Sequence, residues 1–313
     1  VAALHEKGAH VRALILENDP LAEALPQEVR RVCGDVCDPD SLDRFFSNAD
    51  HRTCVIHCAG IVSVASHPGV GIYRVNVDGT KNILRQCRRS SVGKLVYVSS
   101  AHAIPEKRKG TTITEDAVFS PELVRGDYAK SKAIATSLVL EAAKRGLNAS
   151  VVFPSGILGP DDRGKGSITH MLLSFRAGKL FLAVKGGYDF VDVRDVAAGI
   201  VACADQGLPG HGYILSGQYG SIRDILTAAE KTLNIRRKVI YLPICFAKLV
   251  APAYEKWCLR AKRPLFFTPY AVAVLDSNGR FSRRAAEAAW GYAPRPLESS
   301  ICDMVLWLKN LAE

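Results

Sequence analysis

Residues 94–100 read Lys94-Leu95-Val96-Tyr97-Val98-Ser99-Ser100, an unbroken apolar run that ends in two hydroxyls. Apolar residues without polar alternation fit a strand covered on both faces. Helical patterns flank it, Val70–Arg89 before and Asp127–Arg145 after. The same alternation continues outward. His10–Leu16, Val29–Cys33, Cys54–His57 and Ala149–Phe153 read as further strands, and Ser41–Phe46 as a helix. Short apolar strands alternating with helices predict an α/β fold built on a parallel, doubly wound, Rossmann-like sheet. At the start, Val1–Gly8 reads as the end of a helix closed by Gly8. The expectation is therefore that the sequence opens inside the first helix of a βαβ unit, with a strand and its turn upstream.

After Pro154 the rhythm changes. A Gly-rich loop, 156–166, leads to a helix near Ser167–Ala177. Asp192 or Asp195 can cap a helix starting near Val196. Tyr213–Ser216 reads as a strand, Ser221–Leu233 as a helix capped by Ser221, and Arg283–Trp290 and Leu297–Leu311 as later helices. The reading is a sheet domain over 1–154 and a smaller, mostly helical substrate region over 155–313, some of whose segments return to the first domain.

Composition narrows the function classes. With 313 residues, 48% hydrophobic and 23% charged, the chain is ordinary for a globular protein and large enough for a self-sufficient core. The net charge of +10 is scattered, with short clusters at Arg88-Arg89, Arg236-Arg237-Lys238 and Arg283-Arg284. No basic stripe interleaved with aromatics appears, so no nucleic-acid partner is expected. The longest apolar region, Val239–Ala253, is interrupted by Pro243, Lys248 and Pro252, too short to span a bilayer, and no membrane partner is expected. Nine cysteines suit a reducing cytoplasm. Cys33/Cys37 and Cys54/Cys58 have a spacing open to metal binding, but Cys54 and Cys58 sit in or beside an apolar run and read as strand-core thiols. No metal is expected.

The chemistry gathers around Tyr128-Ala129-Lys130-Ser131-Lys132. On a helix, Tyr128 and Lys132 share one face. A phenol with an ordinary pKa of about 10 needs roughly 4 kcal/mol to fall by about three units. A positive charge about 4 Å away at an effective dielectric of about 20 supplies that much. Ser100, at the carboxyl end of a strand, can hydrogen-bond a substrate oxygen where open α/β sheets bind ligands. Glu17, after the strand His10–Leu16, can hold a ribose hydroxyl and repel a 2′-phosphate, which favours NAD over NADP.

These stretches together resemble an extended short-chain dehydrogenase/reductase, of the NAD(P)-dependent epimerase/dehydratase and dihydroflavonol-reductase-like type. Gly34-Asp35-Val36-Cys37-Asp38 is similar to the segment whose first aspartate contacts the adenine. Val55-Ile56-His57-Cys58-Ala59-Gly60, with Ile61 after it, resembles the stretch that passes the ribose and diphosphate. Asn76-Val77-Asp78-Gly79-Thr80 resembles the family's N-V-x-G-T helix. Ser100, Tyr128 and Lys132 match its catalytic trio. Pro154-Ser155-Gly156-Ile157-Leu158-Gly159-Pro160 resembles the loop touching the nicotinamide, and Phe190-Val191-Asp192-Val193-Arg194-Asp195-Val196-Ala197 a further family segment. The closer likeness to dihydroflavonol reductases lies in Ala101-His102-Ala103-Ile104-Pro105-Glu106 and Gly187-Tyr188-Asp189-Phe190.

The resemblance implies NAD or NADP, a small-molecule substrate and hydride transfer to or from a ketone or secondary alcohol. The implied catalytic residues are Ser100, Tyr128, Lys132 and Asn76. The implied cofactor contacts are Glu17, Asp35, Val36, Ala59, Gly60, Ile61, Ser99, Tyr128, Lys132, Pro154, Gly156 and Ile157. A nucleotide-sugar epimerase or dehydratase on the same fold is the alternative, and a non-catalytic cofactor sensor a further one. Pairing through the helices over 70–89 and 127–145 would give a homodimer. Two departures stand out: Phe153 replaces the family's arginine, and its Gly-rich fingerprint is expected upstream of residue 1.

Overall fold

The computed structural model describes residues 1–66, 69–164, 166–261 and 267–311. Its centre is a parallel sheet of β3 (Cys54–His57), β4 (Lys94–Val98), β5 (Ala149–Pro154) and β9 (Gly212–Leu215), hydrogen-bonded in the order β3-β4-β5-β9. β1 (Arg12–Ile15) and β2 (Arg30–Cys33) form a separate parallel pair. Every residue of β5 is buried, as its continuous apolar run requires. Beyond β5, β6 (Gly156–Leu158) pairs with β8 (Gly187–Asp192), which pairs antiparallel with β10 (Gln218–Ser221). β7 (Leu182–Val184) pairs with β11 (Ile240–Leu242). These short strands were not anticipated among the helices of the second half.

Helices cover the central sheet. Asp127–Lys144 buries Ala129, Ala133, Ala135, Val139 and Ala142 against a core that includes Leu95, Tyr97, Val151 and Phe153. Val193–Gln206 and Arg284–Trp290 contribute to a second core with Val96, Val152 and Leu215. A third core joins Tyr188 and Phe190 to the helices Ile222–Leu233 and Leu297–Asn310.

Local chemistry sets the helix ends. Asp38 Oδ1 accepts from Asp40 N at 3.1 Å and Pro39 starts the helix Pro39–Phe46. Ser221 and Asp224 form a reciprocal capping box. Asp192, not Asp195, caps the next helix, which begins at Val193 rather than Val196, accepting from Arg194 N at 2.8 Å. Asp195 instead pairs with Arg295 at 2.9 Å.

Two expectations are corrected. Cys54 and Cys58 are exposed rather than core thiols. The helix expected over 70–89 is not uniform. Gly71–Tyr73 and Thr80–Arg89 are α-helical, and Arg74–Gly79 between them is a π-helical turn. Among the described residues, no helix is long and apolar enough to cross a membrane, and no cluster of three or more His, Cys, Asp or Glu could hold a metal.

Candidate active site

Parallel strands deliver their carboxyl ends to one edge of a sheet, where loops can meet a ligand. Glu17 follows β1, Asp35 follows β2, Ala59, Gly60 and Ile61 follow β3, Ser99 and Ser100 follow β4, and Pro154 ends β5 just before Gly156 and Ile157 in β6. Glu17, Ala59, Gly60, Ile61 and Ile157 are exposed there. Asp35 Oδ1 accepts from Cys37 N at 2.8 Å. The Val36 side chain packs against Gly79, and its carbonyl accepts from Asn82 Nδ2 at 2.9 Å, which leaves its amide as the group free to meet a ligand. The Ser99 hydroxyl is held by Thr136 Oγ1 at 2.7 Å.

The trio comes together on β4 and the helix Asp127–Lys144. Ser100 and Tyr128 are both buried, and the Ser100 Oγ accepts from His102 N at 3.2 Å. Lys132 lies one turn further along, also buried, with Nζ donating to Val98 O at 2.9 Å and sitting 5.1 Å from the centre of the Tyr97 ring. Burial lowers its pKa to about 8, so it is mostly charged at neutral pH. Acidification of Tyr128 was expected from Lys132 together with a cationic nicotinamide ring, and the chain's own groups do not produce it. Burial pushes the phenol pKa up, and the nearby Ser100 hydroxyl only partly opposes this. The ammonium of Lys132 is turned to Val98 O and the Tyr97 ring.

Asn76 sits in the π-helical turn, a distortion common at functional sites. Its Oδ1 accepts from Ile61 N at 2.7 Å, and its Nδ2 donates to Ile61 O and to Ser131 Oγ, both at 3.0 Å. Ser131 Oγ in turn donates to Tyr128 O at 2.8 Å. The amide thus ties the loop after β3 to the backbone of Tyr128. Behind it, Thr80 Oγ1 donates its only proton to Asn76 O at 2.7 Å. His57 Nε2, 3.0 Å from the same hydroxyl, must therefore be the donor between the two.

Three aromatic residues complete the surroundings of Tyr128. His102 stacks on Tyr188, contacts the Tyr128 ring edge-on with centroids 5.9 Å apart, and places Nδ1 3.3 Å from Tyr270 Oη. Sequence reasoning used His102 and Tyr188 only as family likeness and missed Tyr270. No spacing rule links positions 168 residues apart. A cleft of about 910 Å³ beside β9, lined by Phe119, Phe153, Tyr213 and Arg283 among others, includes none of these residues. Phe153, the departure from the family's arginine, is buried there and stacked on Phe119.

The model of the NAD dependent epimerase/dehydratase family matches residues 1–215. The chain belongs to that family. It is accordingly an NAD(P)-dependent hydride-transfer enzyme. A family relative, sterol demethylase protein B of Methylococcus capsulatus, is 27% identical over 99% of this chain and 94% of its own. The putative dihydroflavonol 4-reductase of a Synechocystis strain is 29% identical over 99% of this chain and 90% of its own. The crystal structure of gox2253 superposes with a TM-score of 0.84 at 25% identity, covering 99% of this chain and 93% of that one. The family's dinucleotide fits what is present. At Gly60 an added Cβ would lie 3.1 Å from Asn76 Oδ1 and 3.3 Å from Lys132 Nζ, so only a bare backbone leaves the ammonium accessible from that side.

Proposed function

We propose that this family member reduces a ketone, or oxidises the matching secondary alcohol, on an apolar ring-bearing substrate. Ser100, Tyr128 and Lys132 would act directly, and Asn76 would position them. The observation that carries this reading is the gathering of buried Ser100, buried Tyr128 and a buried, charged Lys132 at the carboxyl end of β4. The nicotinamide, when bound, supplies or accepts the hydride. Lys132 holds the dinucleotide's ribose, and Ser100 donates to the substrate oxygen. Tyr128 exchanges a proton with that oxygen. Its raised pKa keeps the phenol protonated at neutral pH, the form that can give a proton to an oxygen gaining charge. Glu17, Asp35, the Val36 amide, Ala59, Gly60, Ile61, Ser99 through its backbone, Pro154, Gly156 and Ile157 are proposed to line the dinucleotide. Glu17 favours NAD, with NADP kept open.

Two observations support the substrate class: the aromatic rings of His102, Tyr188 and Tyr270 around the phenol, and the sterol and dihydroflavonol substrates in the names of the relatives. Residues 1–154 are assigned to the dinucleotide and 155–313 mainly to the substrate, with β9 returning to the central sheet. Nine unpaired thiols support a reducing cytoplasmic location. A homodimer through the helices over 71–89 and 127–144 is a separate proposal. It rests on the resemblance, since Ala135, Val139 and Ala142 serve the core and half-buried Leu138 packs against it. A monomer mass in solution scattering would reject it.

The test is net turnover of NAD(P)H with ketones on fused or linked rings. Tyr128→Phe should lower kcat by about 10²–10⁴-fold while dinucleotide affinity stays the same. Near-normal turnover by this variant would overturn the assignment. The family equally includes epimerases, and isomerisation of a nucleotide sugar without net NAD(P)H change would establish that reading instead.

A further inference from the structure

A surface helix of a globular protein ordinarily turns its polar side to water. The helix Ile244–Arg260 does the reverse. Its inner side is buried Ala247, Ala251, Glu255 and Cys258. At 3.6 residues per turn the opposite side carries Phe246, Leu249, Val250, Ala253 and Trp257. Leu249 is 76% exposed, Phe246 59%, Trp257 49% and Val250 43%. Scattered exposed apolar residues need no explanation, but a stripe along one helix does.

Of the three cations on this helix, Lys248 turns to Asp276 at 2.6 Å, while Lys256 and Arg260 fall on the outward side and are exposed. Glu255, the helix's sole acid, faces inward and accepts from Ser66 N and Ser66 Oγ, both at 2.8 Å. Among the described residues of the helix, the outer side therefore combines apolar bulk, a tryptophan and two cations with no acid, on a chain of net charge +10. We propose that this face is a peripheral docking surface for an anionic phospholipid bilayer. The helix would lie in the headgroup plane with Phe246, Leu249 and Val250 dipping toward the acyl chains and Lys256 and Arg260 on the lipid phosphates.

A second copy of the chain fits less well. A two-fold contact would bring the cations of one copy close to those of the other with no acid on either face to pair them. Spanning is excluded by length, because 17 residues with an internal Pro252 fall short of a bilayer crossing. The sequence-based expectation of no membrane partner rested on that spanning criterion, and lying on the surface is a different arrangement. The helix is also close to the reaction centre. Ala247 and Ala251 pack with Val272 of the helix Pro269–Leu275, whose Tyr270 meets His102.

The test is co-sedimentation of the whole chain with vesicles of phosphatidylcholine containing about one third phosphatidylserine, against phosphatidylcholine alone. Wild type should sediment with the anionic vesicles. Lys256→Gln with Arg260→Gln should weaken partitioning about 30-fold, each cation carrying roughly fivefold. Phe246→Gln with Leu249→Gln should leave the protein in the supernatant with an unchanged circular dichroism spectrum. Wild type remaining in the supernatant, or either double variant sedimenting like wild type, would overturn the proposal. So would a dimer in light scattering that Phe246→Gln with Leu249→Gln dissociates.

Discussion

The ring of His102 lies nearly parallel to that of Tyr188, with centroids 5.3 Å apart and planes 10° apart. Burial lowers the histidine pKa to about 4, so the ring in this stack is neutral at physiological pH.

The neutral state has a consequence for stability. Between about pH 6.5 and 4 the unfolded chain binds a proton at His102 that the folded protein does not, so folding weakens as pH falls through that window. A shift of this size corresponds to roughly 3 kcal/mol. His102→Phe keeps a stacking ring and removes the titration. Denaturant unfolding of both proteins should show wild type losing roughly 3 kcal/mol more than the variant between pH 7 and pH 4. His57, buried and also held neutral, contributes equally to both and cancels. Identical pH dependence would remove the titration of His102 from this account.

Lys132 presents the opposite trade. Its buried ammonium has a pKa near 8 against about 10.5 in the unfolded chain, so burying the charge at pH 7 destabilises the fold by roughly 3 kcal/mol. Its hydrogen bond to Val98 O returns part of that. Lys132→Met should therefore stabilise the dinucleotide-free protein by about 1–2 kcal/mol at pH 7 and abolish turnover. The gap should narrow as pH rises from 8 toward 10.5. There the folded wild type sheds its proton while the unfolded chain keeps it, so wild-type stability climbs. Urea unfolding at two pH values reads both effects, and a variant less stable than wild type at pH 7 would contradict them.

The central strands were legible because their apolar runs need cover on both faces. β3 matches its expected limits, β5 runs one residue past its own at the carboxyl end, and β4 stops at Val98, before the two hydroxyls. Tyr128 and Lys132 were legible because four residues is a local distance on a helix. The exposure of Cys54 was not, since an apolar run does not tell which of its residues are covered. Nor was the π-helical turn. It depends on Asn76 finding both backbone groups of Ile61, a tertiary contact that helix propensity does not encode. The meeting of His102 with Tyr270 is of the same kind, produced by how two distant segments pack.

Gly126 shows how closely the site is fitted to its aromatic wall. It precedes the helix that carries Tyr128, with φ at +84°, and an added Cβ would lie 2.5 Å from Tyr270 Cε2. Gly126→Ala thus meets two penalties, a left-handed backbone and a ring that must move. Gly146, with φ at +94° and nothing within 4 Å of an added Cβ, isolates the first. Gly146→Ala should lose about 1–2 kcal/mol of stability and leave turnover unchanged. Gly126→Ala should lose roughly 1–3 kcal/mol beyond that, as overpacking does, and should also slow turnover, because Tyr270 contacts His102 and His102 contacts Tyr128. Equal losses in the two variants, measured by denaturant unfolding alongside NAD(P)H turnover, would show that Tyr270 yields freely and that the wall does not hold the phenol in place.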